Sequence, residues 1–237
     1  MKLSSDLNNN KKRMKDILPV DQSFDLIERE LIIGGRQAAL YFVDGFVKDE
    51  IMEKILTFIL KLKPEDFDKA PDAAGFVRHY ISYIETVTES EIDAAATQIL
   101  SGPCVLLIDG YSEAIVIDTR TYPARSTEEP EKERVMRGSR DGFVETVVMN
   151  TALIRRRIRD PKFIAEMVTV GERSKTDIAI CYISDMIKPE ILKEIKEKIA
   201  SVKVKSLTMN QESLAECLIR RRWFNPFPKV RYTERPD

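Results

Sequence analysis

The sequence predicts an α/β protein of the α+β type, with two small mixed-sheet subdomains that carry helical cover and are joined by a linker. Three observations support this. The chain has 237 residues, which suits two domains of about 100 residues each. Short β-branched runs bounded by turn signals alternate with segments of helical periodicity. This pattern is interrupted over residues 121–138, where prolines and charges accumulate, so we place the linker there.

Composition indicates a folded protein and excludes several classes of function. Apolar residues make up 43% of the chain and charged residues 32%. The formal net charge of -1 argues against a nucleic-acid partner. The three cysteines are far apart in apolar contexts, which predicts reduced core residues of an intracellular protein. The longest uncharged stretch, Ala94–Ile108, has only 15 residues and is too short to span a bilayer.

The first subdomain is predicted to cover residues 23–120. Residues 1–22 are polar and are expected to form a flexible tail that ends in a short helix. Two β-branched runs about Gly34-Gly35 predict a hairpin. A helix follows and ends at Pro64. One face of this helix carries Ile51, Ile55, Ile59 and Leu62.

Another helix and hairpin complete this subdomain. Thr88 and Glu91 have the spacing of a capping box for a helix that Gly102-Pro103 stops. Apolar runs on both sides of Asp109-Gly110 predict a second hairpin. The segment from Pro71 to Tyr83 has a mixed pattern that predicts no clear element. Two strand pairs and two helices together indicate a mixed sheet with helical cover.

The second subdomain is predicted to cover residues 139–224. It begins with a helix that has a buried face and a basic rim, and two strands about a polar turn follow. A helix from Pro189 is expected to turn Ile191, Ile195 and Ile199 inward. A strand over VKVKSL and a helix over SLAECLI end the unit, and the strand–helix–strand order favours a parallel pair.

The residues needed for common catalytic chemistry do not form a recognisable set. His79 is the only histidine, and the cysteine spacing provides no metal site. Phosphate-binding glycine loops and a nucleophile elbow are absent from the sequence. We therefore expect no metal, no cofactor, no catalytic residue and no enzyme activity.

Two arginine triplets, Arg155–Arg157 and Arg220–Arg222, allow several interpretations. They can form a salt-bridged helix rim, or contact anionic lipid headgroups or a protein, and RNA is a third alternative. A consecutive triplet spans most of a helix circumference, so at least one member is expected to face inward and to need an acidic partner.

The segment from Gly138 to Pro161 is the most unusual in the chain. The residues have a structural explanation as a turn followed by a helix amino terminus. A functional interpretation is an interaction network at the lobe junction. Its candidate interaction or ligand-binding residues are Arg140, Glu145, Asn150, Arg155, Arg156 and Arg157.

Several motifs in the last hundred residues resemble the A subunits of the nutrient germination receptors of spore-forming bacteria, the GerA family. They are Glu133–Val135, Gly138–Glu145, Asn150–Arg157, Gly171–Thr176, Asn225–Pro228 and Thr233–Asp237. The resemblance implies a soluble amino-terminal region of two α/β lobes, with residues 225–237 as the approach to a membrane segment.

The resemblance also implies a function in spore germination signalling. The full-length protein is expected in the spore inner membrane, with this region on the cytoplasmic side. Receptor B and C subunits are the expected partners, with a homo-oligomer through the membrane portion as a further expectation. Receptor assembly, nutrient sensing and ion release are the implied roles. The alternative is a module that binds a small-molecule nutrient in a cleft between the lobes.

Overall fold

The computed structural model describes residues 1–121, 141–202, 204, 210–218 and 231–236. Within these ranges the chain combines helices with two antiparallel sheets, which confirms the α+β class. The sequence predicted mixed sheets, but every strand pair in the described ranges is antiparallel. No helix in this part of the chain is long and apolar enough to cross a membrane.

The first sheet has five strands and forms the centre of the first lobe, residues 1–121. Its strands are β1 (Leu26–Ile33), β2 (Arg36–Val43), β3 (Thr86–Glu89), β4 (Cys104–Ile108) and β5 (Ala114–Ile117), in the spatial order β1-β2-β4-β5-β3. Both predicted hairpins, β1–β2 and β4–β5, are confirmed. Strand β3 was not predicted, and it pairs with β5 at the sheet edge.

Helices cover both faces of this sheet. They are α1 (Leu7–Ile17), α2 (Asp49–Ile59), α3 (Ala73–Tyr80) and α4 (Ile92–Ser101), with a 3₁₀ helix over Pro64–Lys69. Successive strand residues face opposite sides, so Tyr41 packs with α1 and α4 while Leu40 packs with α2, α3 and the 3₁₀ helix. The sheet is therefore the middle layer between two apolar cores.

The predicted flexibility of residues 1–22 requires correction, although a helix, α1, is present before Phe24 as expected. Asp6 caps α1 by accepting hydrogen bonds from the backbone N–H groups of Asn8 and Asn9. Met14 and Leu18 are 0% and 1% exposed and belong to the first-lobe core. The segment is ordered because its few apolar residues recur on one helix face, although the composition around them is polar.

Two local predictions in the first lobe were also wrong. The segment with the mixed pattern contains α3, which Asp72 caps through a 2.7 Å hydrogen bond from the Gly75 N–H. Thr88 lies in β3 and not in a capping box, while Glu91 occupies the N-cap of α4 without a side-chain capping bond. At Thr88 the pairing of β3 with β5 overrode the local capping signal.

The second lobe is built on a two-stranded sheet. Its elements are α5 (Val147–Arg157), β6 (Phe163–Val170), β7 (Thr176–Ile183), α6 (Pro189–Ala200) and α7 (Asn210–Leu218). The predicted β6–β7 hairpin is confirmed in full register. Residues 203 and 205–209, which contain most of the predicted VKVKSL strand, lie outside the described residues, as does nearly all of the predicted linker.

Side-chain burial in the second lobe differs from the prediction at two places. Only Ile199 of the three isoleucines predicted to face inward from α6 is buried, while Ile191 and Ile195 are 49% and 37% exposed. Cys217 is exposed and not a core residue, whereas Cys104 is buried and Cys181 is half-buried.

Candidate functional site

Helix α5 lies between the two lobes and touches both. Its Ala152 is fully buried in the core of the first lobe. Gly45, in the turn after β2, has a φ of +82°, and a Cβ built there would lie 3.0 Å from the Ala152 Cβ. Glycine thus allows α5 to approach the first-lobe backbone closely. The carboxyl end of α5 leads directly into β6 of the second lobe.

Arg155 is the largest fully buried side chain described, and it lies at this junction. Its Nε donates to Asp25 Oδ2 at 2.8 Å, and one terminal nitrogen donates to Asp25 Oδ1 at 2.9 Å and Ser23 Oγ at 3.1 Å. The other terminal nitrogen donates to the Phe163 carbonyl at 3.1 Å. The guanidinium therefore binds oxygens of both lobes at once, with the bidentate geometry that suits a carboxylate.

Backbone bonds reinforce this contact. The Phe24 N–H donates to the Ala165 carbonyl at 2.9 Å, and the Ala165 N–H donates to Ser23 Oγ at 2.9 Å. Both backbone groups of Ala165 are thereby satisfied by the segment that precedes β1. The first lobe consequently covers one edge of the second sheet at this point.

Both members of the pair are buried. Asp25 is 1% exposed, and its Oδ1 also accepts a 2.6 Å hydrogen bond from Ser23 Oγ. The Arg155 guanidinium carbon lies 4.4 Å from the centre of the Phe163 ring. Burial, with a smaller effect of Asp25, raises the pKa of the nearby Cys181 thiol to about 11. This thiol is protonated at neutral pH, so it adds no charge to the junction.

The structure separates the predicted site residues into different groups. Arg155 is buried, which corrects its placement on a basic rim and confirms that one member of the triplet faces inward to an acidic partner. Arg157 donates to Asp141 Oδ2 at 3.1 Å and to the Leu153 carbonyl, and Arg156 lies 3.8 Å from the same carboxylate. Arg156 and Arg157 therefore form ion pairs with Asp141 at the surface.

The other candidates lie outside the Arg155 cluster. Asn150 binds the backbone of Val144 through both its side-chain atoms, each at 2.7 Å, and so fixes the loop before α5. Glu145 is exposed. Arg140 and the second triplet, Arg220–Arg222, lie outside the described residues.

A segment near the carboxyl end contacts this loop. The Phe143 N–H donates to the Glu234 carbonyl at 2.7 Å. Residues 231–236 are thus attached beside the amino end of α5, the helix that carries Arg155. Phe143 and Glu234 belong to two sequence motifs, Gly138–Glu145 and Thr233–Asp237, which are far apart in the chain.

A cleft separates the lobes next to the Arg155 cluster. It has a volume of about 460 Å³, with Val20–Phe24 on the first-lobe side and Glu166–Val168 and Lys196 on the other. Lys196 forms an ion pair with Glu166 at 2.5 Å. Asp21 and Gln22 add polar groups to the opposite wall.

A family model described as "Bacillus/Clostridium GerA spore germination protein" matches residues 12–237. The chain belongs to the GerA family of spore germination proteins. This confirms the resemblance inferred from the sequence motifs. Because the match includes all of the described second lobe and nearly all of the first, the junction is part of the family's shared region.

Individual GerA-family relatives agree with this assignment. The chain is 38% identical over 230 residues to "Stage V sporulation protein AF" of Bacillus subtilis (strain 168), covering 96% of this chain and 46% of that protein. "Spore germination protein B1" of the same organism is 31% identical over 242 residues, covering 100% and 48%. The Bacillus cereus "Spore germination protein GerLA" is 32% identical over 215 residues, covering 90% and 43%. The chain thus spans about half the length of these relatives.

A solved structure has the same fold. It is the crystal structure of the N-terminal domain of the A subunit of the Bacillus megaterium spore germinant receptor GerK3, with a TM-score of 0.71 and 22% sequence identity. The similarity covers 100% of this chain and 86% of that one. At this identity the likeness establishes the fold.

The sequence analysis did not identify Ser23 and Asp25 as the side chains that accept hydrogen bonds from Arg155. Ser23 and Asp25 lie 132 and 130 residues before Arg155, just before β1. The available signal was an aspartate directly before strand β1, where burial makes a charged partner necessary.

Proposed function

We propose that this chain is the assembly and signalling region of a germinant receptor A subunit and has no catalytic role. Its place is beside the spore inner membrane, on the cytoplasmic side, in a complex with B and C subunits. Relatives named as spore germination proteins and the fold shared with the GerK3 domain support this proposal.

The buried Arg155–Asp25 pair is the observation that carries the proposal. An ion pair with additional bonds to both lobes fixes their relative position, since its donors and acceptors are satisfied in one arrangement. Residues 231–236 are bonded to the loop that precedes the same helix. A displacement of either lobe would therefore be passed through α5 to this segment and on to the rest of the receptor. Ion release would be the final response.

The test replaces Arg155 with alanine in the full-length receptor, with Arg29→Ala as the matched control. Arg29 is an exposed arginine of β1. We expect Arg155→Ala to reduce recovery of the A subunit with B and C subunits, nutrient-triggered germination, or both, and Arg29→Ala to leave them unchanged. Normal assembly and normal nutrient response in the Arg155 variant would contradict the proposal.

The cleft favours a second candidate function, the binding of a small nutrient between the lobes. Its volume of about 460 Å³ lies within the range of small-molecule sites, and acidic, basic and amide groups line it. Calorimetric titration of the chain with amino acids, sugars and salts tests this function. Binding that is lost in Gln22→Ala would support it, whereas no heat with any of these compounds would exclude the tested classes.

A further inference from the structure

A pocket in the first lobe lies between helix α2 and the segment that follows α3. It has a volume of about 230 Å³ and shares no lining residue with the cleft between the lobes. On one side Ile51, Lys54, Ile55 and Phe58 have the i, i+3, i+4, i+7 spacing of a single stripe on α2. Residues Tyr80–Tyr83 form the other side.

The apolar walls of this pocket are held by the core and by hydrogen bonds. Ile55 and Ile81 are 9% and 8% exposed and belong to the apolar core on this side of the sheet. The Tyr80 hydroxyl donates to the Asp66 carbonyl at 2.7 Å. The Tyr83 carbonyl accepts a 3.0 Å hydrogen bond from the hydroxyl of the threonine three residues later. Walls that are fixed in advance lower the ordering cost of binding a ligand.

Aromatic side chains remain accessible around the pocket. Phe58 lies on the outer side of α2 and is 54% exposed, and Tyr83 is half-buried. Rings in such positions bind flat apolar groups by stacked or edge-to-face contacts. The cavity is smaller than the roughly 300–1,000 Å³ of pockets for drug-sized ligands, so its ligand is small.

The charge of the lining is one-sided. Lys54 is its charged residue, and the lining, all of which belongs to the described part of the first lobe, contains no acidic residue. Among the residues that the structure describes, Lys54 has neither an ion pair nor a side-chain hydrogen bond. A lysine ammonium binds a carboxylate through charge-assisted hydrogen bonds. A ligand ammonium, in contrast, would meet Lys54 and no carboxylate.

We propose that this pocket binds a small carboxylate with an apolar aromatic body, of the size of 3-phenylpropionate. The ring of the ligand packs among Phe58, Tyr80 and Tyr83, and its carboxylate accepts hydrogen bonds from Lys54 and from the exposed Ser82 hydroxyl. The charge pattern selects against the corresponding amino acid, since its ammonium would enter a lining with no counter-charge.

NMR titration of the isotope-labelled chain with 3-phenylpropionate tests this site. We expect saturable shifts of the amides of α2 and of Tyr80–Tyr83. L-phenylalanine, which differs from 3-phenylpropionate only by its ammonium group, should bind at least about tenfold more weakly. Lys54→Gln and Phe58→Ser should each raise the dissociation constant for 3-phenylpropionate at least about tenfold. Lys61→Gln, at an exposed lysine outside the lining, is the matched control and should leave it unchanged.

The two replaced side chains, Lys54 and Phe58, are exposed, so far-UV circular dichroism should show that both variants are folded. No saturable binding of 3-phenylpropionate up to about 10 mM would overturn the proposal. Binding that Lys54→Gln does not weaken, or L-phenylalanine binding as tightly as 3-phenylpropionate, would do the same. Self-association of the chain that is lost in Phe58→Ser, measured by sedimentation velocity, would identify a second copy as the occupant instead.

Discussion

Replacing Arg155 by methionine removes the guanidinium and keeps an unbranched side chain of similar length. The substitution deletes two bonds to Asp25, one to Ser23 and one to the Phe163 carbonyl. Asp25, which is 1% exposed, then remains as a buried carboxylate without its counter-charge. Breaking a buried ion pair in this way costs about 3–5 kcal/mol. We expect Arg155→Met to lower the free energy of unfolding by that amount.

Urea denaturation followed by circular dichroism at 222 nm measures this loss. Total stabilities of about 5–15 kcal/mol make it a large fraction of the whole. The double variant Arg155→Met/Asp25→Leu removes both charges and should lie within about 2 kcal/mol of the unmodified chain. Arg29→Met, at an exposed arginine, should change stability by less than about 0.5 kcal/mol. A loss below about 1 kcal/mol for Arg155→Met, or a double variant as unstable as the single, would refute the reasoning.

Three further predictions concern packing and thiol chemistry. Met14→Ala, at a residue that is 0% exposed, should lower the free energy of unfolding by about 2–5 kcal/mol in the same assay, whereas a flexible tail would tolerate it. Gly45→Ala should cost at least about 1–2 kcal/mol, because the residue has positive φ and the new methyl group meets α5. Burial raises the pKa of Cys104 and Cys181 to about 11, so their reactive thiolates form only as the pH approaches that value. At pH 8 iodoacetamide should therefore modify Cys217 first in the folded chain, as mass spectrometry would show, and equal rates for all three would contradict this.

Local signals made much of the first lobe predictable. Gly34-Gly35 and Gly110 provide positive φ between β-branched runs, so both hairpins could be recognised without knowledge of distant residues. The polar context of Met14 concealed the length and the burial of α1, because its helical face contains few apolar residues. Strand β3 has only four residues and depends on its pairing with β5, a contact that local sequence does not encode.

The site was predictable to a smaller extent. An inward member of the Arg155–Arg157 triplet followed from helix geometry alone. Which arginine it is depends on the position of α5 against Gly45, and its partner Asp25 lies 130 residues away. A single sequence does not show that two residues so far apart in the chain lie in contact in the fold. The exposure of Ile195 could not be predicted either, because helical periodicity identifies an apolar face but not whether another element covers it.

The Arg155–Asp25 pair could serve to stabilise the fold or to fix the relative position of the lobes. Comparing Arg155→Met with Arg155→Met/Asp25→Leu in the intact receptor distinguishes these two roles. Apolar residues in its place would fill the junction but would not direct bonds to Ser23, Asp25 and the Phe163 carbonyl. If the pair only stabilises the fold, Arg155→Met/Asp25→Leu should restore nutrient-triggered germination along with stability. If it fixes the lobe arrangement that the receptor needs, the double variant should be stable, assemble with its partners and still respond poorly to nutrient. We expect the second outcome, because apolar packing tolerates several relative positions of two surfaces whereas a bidentate ion pair is satisfied in one.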